Sequence, residues 1–131
     1  MSIPVALRAL EDAVRERGSA AYVLTVSEHG TPHVVHSEVT WSGNALVTLV
    51  GEHTARHARR RPQVSLLYPS RHPDDYSLIV DAVATVVTTS TGARLLFVPT
   101  RAVLHRPAPA PDPATSACGS DCVPLSLPSS R

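Results

Sequence analysis

Between Ala20 and Val50 the chain carries three runs, AAYVLTV, HVVHSEVTW and ALVTLV, joined by the short stretches SEHGTP and SGN. A two-residue alternation of side chains is the signature of a strand with unlike faces. Connections this short leave no room for a crossover, so consecutive runs must pair antiparallel. The segment therefore commits the chain to an antiparallel meander. Its first run places Tyr22, Leu24 and Val26 on one face. The second places His33, Val35, Ser37, Val39 and Trp41 on one face, with Val34, His36, Glu38 and Thr40 on the other. Gly30 and Pro32 mark the first turn, and SGN reads as a tight hairpin.

The meander is interrupted by GEHTARHARRRPQVSLL, from Gly51 to Leu67. Here the sequence predicts a short basic helix that Thr54 caps and Pro62 stops. Unpaired N–H groups and the positive end of the dipole make such a helix start a seat for phosphate. QVSLLYP, YSLIVDAVATVV and ARLLFVPTRAVLH then read as strands, with Pro99 marking an edge or a bulge. Upstream, residues 4 to 17 read as an amphipathic helix: Pro4 sits in the first turn, Leu7, Leu10 and Val14 recur at helical spacing, and Gly18 closes the end. The expected domain is mainly β and spans residues 1–105: six antiparallel strands with two short helices suggest a small barrel. Residues 106–131 hold half of the twelve prolines and are expected to be an extended tail.

Composition narrows the function classes. A net charge of +1 argues against a general nucleic-acid binder, and five aromatic residues (one Phe, one Trp, three Tyr) make a poor stacking platform for bases. Arginine supplies all the cationic charge besides histidine; with no lysine, the chain can form no lysine Schiff base. No apolar run approaches a membrane span, and the N-terminus lacks a signal-peptide pattern, so no membrane partner and a cytoplasmic location are expected. Cys118 and Cys122, in CGSDC, have neither redox CxxC spacing nor enough ligands for a zinc site, and receive no role.

The element order resembles the flavin-binding split-barrel proteins of the pyridoxamine 5′-phosphate oxidase-like superfamily, most of all its short actinobacterial members. The resemblance covers roughly residues 5 to 105. It is carried by the G-x-P-H turn at Gly30 to His33, the helix from Thr54 to Pro62 and YSLIVD from Tyr76. It implies a homodimer with a ligand groove at the interface, holding FMN or the deazaflavin coenzyme F-420. By resemblance the groove residues are His33, Val35, Ser37, Val50, Gly51, His53, Thr54, Arg56, His57 and Arg60, with the cofactor phosphate near Thr54 and the arginines that follow. Thr54 and His57 stand where many members carry a cationic residue and an asparagine, Val35 where the oxidase proper has arginine, and Ala82 where relatives often have glycine. These departures argue against pyridoxamine phosphate oxidation and leave FMN, deazaflavin or no cofactor open. The implied function is a flavin- or deazaflavin-dependent oxidoreductase with no named catalytic residue. The alternative is a non-catalytic dimer that binds flavin, haem or another tetrapyrrole, or has lost its ligand.

Single residues carry their own expectations. Arg56 and Arg60 lie one turn apart and form a candidate cationic pair; among Arg56, Arg59, Arg60 and Arg61, only one or two can reach a single ligand. His53 and His57 at i and i+4 are half a metal site at most, with no HExxH pattern, so no metal is assigned. Asp81, inside an apolar strand, must accept backbone or arginine hydrogen bonds. Trp41 and Tyr68 are expected in the core or at an interface.

Overall fold

The computed structural model describes residues 1–108. The tail beyond, with Cys118 and Cys122, lies outside the described residues. Eight strands and two helices follow in the order β1 (Ser2–Val5), α1 (Leu10–Arg17), β2 (Ala20–Val26), β3 (Pro32–Glu38), β4 (Thr40–Ser42), β5 (Ala45–Val50), α2 (Glu52–Arg60), β6 (Gln63–Tyr68), β7 (Ser77–Thr89) and β8 (Gly92–His105). All pairings are antiparallel, in the order β3-β2-β6-β7-β8-β5-β4, with β1 also on β8.

Six of these strands are the expected ones. The other two arise where backbone geometry overrides side-chain pattern. The expected second run breaks at Val39, whose N–H donates to the Ser19 carbonyl, so that Thr40–Ser42 becomes a separate strand on β5. The expected helix over residues 4–17 begins later. Ser2–Val5 instead pairs with Ala102–His105, and a 3-10 turn at Leu7–Ala9 leads into α1. Pro4 therefore sits in a strand rather than a first helical turn, and Leu7 is exposed rather than packed. Leu10 and Val14 are buried as expected, and Gly18 closes the helix at φ 84°, a conformation that side chains rarely adopt.

The sheet is not closed into a barrel by a hydrogen-bonded ladder: β3 and β4 remain its two ends. The β3 end nonetheless approaches β5. Thr48 Oγ1 donates to the Glu38 carbonyl at 2.7 Å, and its hydroxyl also pairs with that of Ser37. The core fills the curl of the sheet, with Val23, Leu46, Leu66, Tyr68, Leu78, Val80, Leu95 and Phe97 fully buried. On β2 the inward face is Ala21, Val23 and Thr25; Tyr22 is 38% exposed. The inward face of β2 meets α2 at Thr25, and Ala55 and Ala58 of that helix also pack inside.

Pro99 does mark a bulge. Register shifts between Asp81 and Ala82, which oppose Arg101 and Pro99, leaving Thr100 unpaired in the ladder. Thr100 Oγ1 donates instead to the Asp81 carbonyl at 3.2 Å. Asp81 accepts from Ser65 Oγ at 2.8 Å and from Arg101 Nη1 at 3.5 Å, the arginine partnership its setting demanded. Tyr68 is a core residue, its hydroxyl donating to the Val39 carbonyl, and burial raises its pKa well above the ordinary range. Trp41 is partly buried against the same core.

Candidate functional site

Helix α2 follows β5 without a loop. Gly51 is its N-cap, extended at φ −77° and ψ 173°, and no side chain caps the helix. Thr54 is therefore not the cap expected from the sequence. It sits in the first turn, 3% exposed, because the helix begins two residues earlier, at Glu52. Its hydroxyl faces the imidazole of His33 at 3.5 Å. Without a side-chain cap, the first N–H groups of α2 lack the partner that a serine or aspartate would supply. A Cβ built on Gly51 would meet nothing within 4 Å, so the approach to this helix end is open. The helix stops where Pro62 holds Arg61 in an extended conformation, at φ −132° and ψ 89°.

Two histidines from distant parts of the chain meet beneath this helix. His33 on β3 and His57 on α2 have ring centroids 4.8 Å apart at 85°, edge to face. His57 Nδ1 pairs with Thr25 Oγ1 at 3.2 Å. Thr25 is 1% exposed and lies opposite His33 in the β2–β3 ladder. Desolvation lowers the pKa of His57 below its ordinary 6.5, and the nearby charges of His33, His53 and Arg56 push it the same way against Glu28.

The four helix arginines divide clearly. Arg59 pairs with Glu52 at 3.3 Å and reaches Thr88 Oγ1. Arg60 pairs with Glu28 at 3.5 Å, away from the cationic pair expected with Arg56. Arg61 donates to the carbonyls of Ser27 and Glu28 at 3.1 and 3.4 Å, tacking the β2–β3 turn to the end of α2. Arg56 is exposed and has no ion pair among the described residues. His53, Arg56 and His57 share one helix face, by their spacing of three and four residues.

The remaining expected residues lie nearby without joining this cluster. Val35 shares the face of His33 but packs against the core opposite Val23, and Val50 is also partly buried against the core. Ser37 lies four residues along β3 from His33, about 13 Å at strand rise. There it bonds Thr48 beside a depression of about 400 Å³ that Glu38, Leu49 and Arg94 also line. Thr25, Thr48 and Arg94 were not singled out from sequence. Thr25 and Thr48 are hydroxyls on strands whose buried face only the structure shows, so the sequence gives them no signal of their own. Arg94 carries none. No three His, Cys, Asp or Glu side chains among the described residues are placed to hold a metal. No helix among the described residues is long and apolar enough to cross a membrane.

No family model matches the chain. Uncharacterized proteins of Mycobacterium bovis and Mycobacterium tuberculosis are 44% identical to it over 87 residues, which cover 63% of this chain. The match spans 61% of the length of those curated relatives. Among solved structures, the chain is similar to a pyridoxamine 5′-phosphate oxidase-like protein of Listeria innocua, with a TM-score of 0.61, 19% identity and coverage of 72% of this chain and 97% of that one. It is similar to an F420 reductase, with a TM-score of 0.59, 17% identity and coverage of 70% and 94%. It is also similar to HutZ, a haem storage protein of Vibrio cholerae, with a TM-score of 0.58, 16% identity and coverage of 76% and 94%. At these identities the likeness is one of architecture: a mainly antiparallel sheet with two short helices, the fold this chain shares with those three proteins.

Proposed function

We propose that this chain binds a flavin-type cofactor beside His33, Thr54 and His57 and uses it as an oxidoreductase. FMN is the first candidate and the deazaflavin coenzyme F-420 the second. One observation carries the reading: imidazoles from β3 and α2 meet beside Thr54, on a helix whose start has no side-chain cap, lies open at Gly51 and is followed by Arg56, which has no ion pair among the described residues. That donor set suits a phosphate. Arg56 offers a guanidinium fork and the first turn of α2 its N–H groups. The structural neighbours include an F420 reductase and a pyridoxamine 5′-phosphate oxidase-like protein, which supports a flavin over an unrelated phosphate ligand.

In such a protein the cofactor supplies the hydride chemistry, and the chain binds, orients and shields it. Val34 and Leu49, 52% and 67% exposed on β3 and β5, supply apolar surface for a second copy of the chain to cover. A homodimer with the ligand between its subunits follows from this reading. Val35 packs with the core where the oxidase proper has its arginine, so pyridoxamine phosphate is not the proposed substrate. A second reading has its own support. The paired imidazoles and the likeness to a haem storage protein favour a non-catalytic dimer that holds haem.

A thermal melt with FMN, FAD, coenzyme F-420 and haem, on protein of measured oligomeric state, separates these. A ligand at a hundred times its Kd stabilises by about 2.7 kcal/mol, a clear shift for a domain of this size. A shift with FMN or F-420, followed by reduction of the bound cofactor, supports the oxidoreductase. A Soret band without turnover supports storage. No shift with any of the four at tens of micromolar overturns both.

A further inference from the structure

Resting on the phosphate seat just described, we propose that anion binding there is proton-linked: a dianionic group is held by His57 as the imidazolium, which takes up its proton from solvent as the anion arrives. The geometry leads to this. Thr25 comes from β2 and is buried, so its hydroxyl fixes the imidazole of His57 through Nδ1. Nε2 makes no hydrogen bond among the described residues. In one neutral tautomer Nδ1–H donates to Thr25 and Nε2 is a bare lone pair, which repels a phosphate oxygen. In the other, Thr25 donates to Nδ1 and Nε2 carries the hydrogen, but the ring brings no charge. Only the imidazolium both donates to Thr25 and offers a charged N–H to the ligand.

Burial of the ring first, and then the groups facing it from each neighbouring element, hold that proton off until an anion comes. His33 lies edge-on from β3, and His53 and Arg56 share its face of α2. Glu28, in the β2–β3 turn, is the opposing carboxylate among the described residues, and it is shared with Arg60 and His29 at 3.5 Å each. A dianion brings two negative charges beside the imidazole, and the proton follows. The ligand class is a phosphate monoester or inorganic oxyanion with two charges; riboflavin, with none, draws no proton.

The probe is sulfate, which stays dianionic throughout and so does not titrate alongside the protein. The imidazole Cε1–H signals of the full chain are followed by NMR at constant ionic strength, from about pH 8 to about pH 5.5. The expected result is a His57 midpoint that rises when sulfate is added, with sulfate affinity about tenfold tighter at the acid end, the equivalent of one pKa unit. His57→Gln should flatten that dependence; if it does not fold, the wild-type midpoints alone decide. Sulfate that binds with the same affinity across the range and leaves the His57 midpoint unmoved overturns the proton linkage while the seat stands. A midpoint that moves at His33 instead overturns the assignment to His57. Sulfate and phosphate that perturb none of His33, His53 and His57 at any pH overturn the seat itself.

Discussion

Thr25→Val tests whether the buried hydroxyl beneath α2 serves the site or the fold. The side chain is 1% exposed, and its one hydrogen bond runs to His57 Nδ1 at 3.2 Å. A neutral hydrogen bond of that length contributes about 0.5–1 kcal/mol net. Replacing the hydroxyl by a methyl also gains about 0.8 kcal/mol of apolar burial. The two nearly cancel. His57 is only half-buried, so water can take over at Nδ1 and no buried group is left orphaned. Thr25→Val should therefore stay within about 1 kcal/mol of wild type in urea unfolding, whereas Thr25→Ala loses a packed methyl as well and costs about 1–2 kcal/mol. Sulfate or FMN affinity should instead fall in both variants, by roughly three- to tenfold, because the imidazole loses the contact that orients it. A loss of more than about 3 kcal/mol in the valine variant would mean the hydroxyl carries structural weight that its one contact does not account for. Unchanged affinity in a stable valine variant would refute Thr25 as a positioning residue.

Three further outcomes follow from the same geometry. Leu66→Ala, at a fully buried position between Val23 and Val80, should cost about 3 kcal/mol and lower Tm by more than about 10 °C; a drop of less than about 1 kcal/mol would mean the sheet can collapse around the gap. His57 has a folded pKa below its unfolded 6.5, so the unfolded chain protonates first. Its contribution to stability is complete above pH 6.5 and is lost as pH falls through the lower, folded value; His57→Gln should remove that acid-side decline in urea midpoints, and an identical decline in the variant would refute the cause. Arg56→Ala should weaken sulfate or FMN binding by roughly fivefold or more, whereas Arg60→Ala, whose partner is Glu28, should change it less than about twofold; the reverse order in a binding titration would contradict the division of the arginines.

Much of the fold was legible because antiparallel meanders are written locally. Alternation, Gly30, Gly43 and Pro62 punctuate the chain at the positions where the structure turns or stops, and Pro99 sits at a bulge because it has no N–H for the ladder. What misled was also local. Pro4, Leu7, Leu10 and Val14 satisfy a helical pattern, yet Ser2–Val5 is drawn into pairing with Ala102–His105, about a hundred residues away. Thr54 looks like a cap, but backbone geometry at Gly51 starts the helix earlier and turns the hydroxyl inward.

The site divides along the same line. The sequence alone determined that a basic helix follows the third strand of a meander, because helix, Pro62 stop and preceding strand are all written by neighbours within one or two turns; the proposed anion seat rests on the same local pattern. Which arginine remains unpaired, which face of β2 is buried, and the meeting of His33, His57 and Thr25 were decided by tertiary structure. Those facts depend on how β2, β3 and α2 pack. A strand's alternation gives two faces without saying which one turns inward; on β2 it is the face of Ala21, Val23 and Thr25, and what packs against the strand decides it.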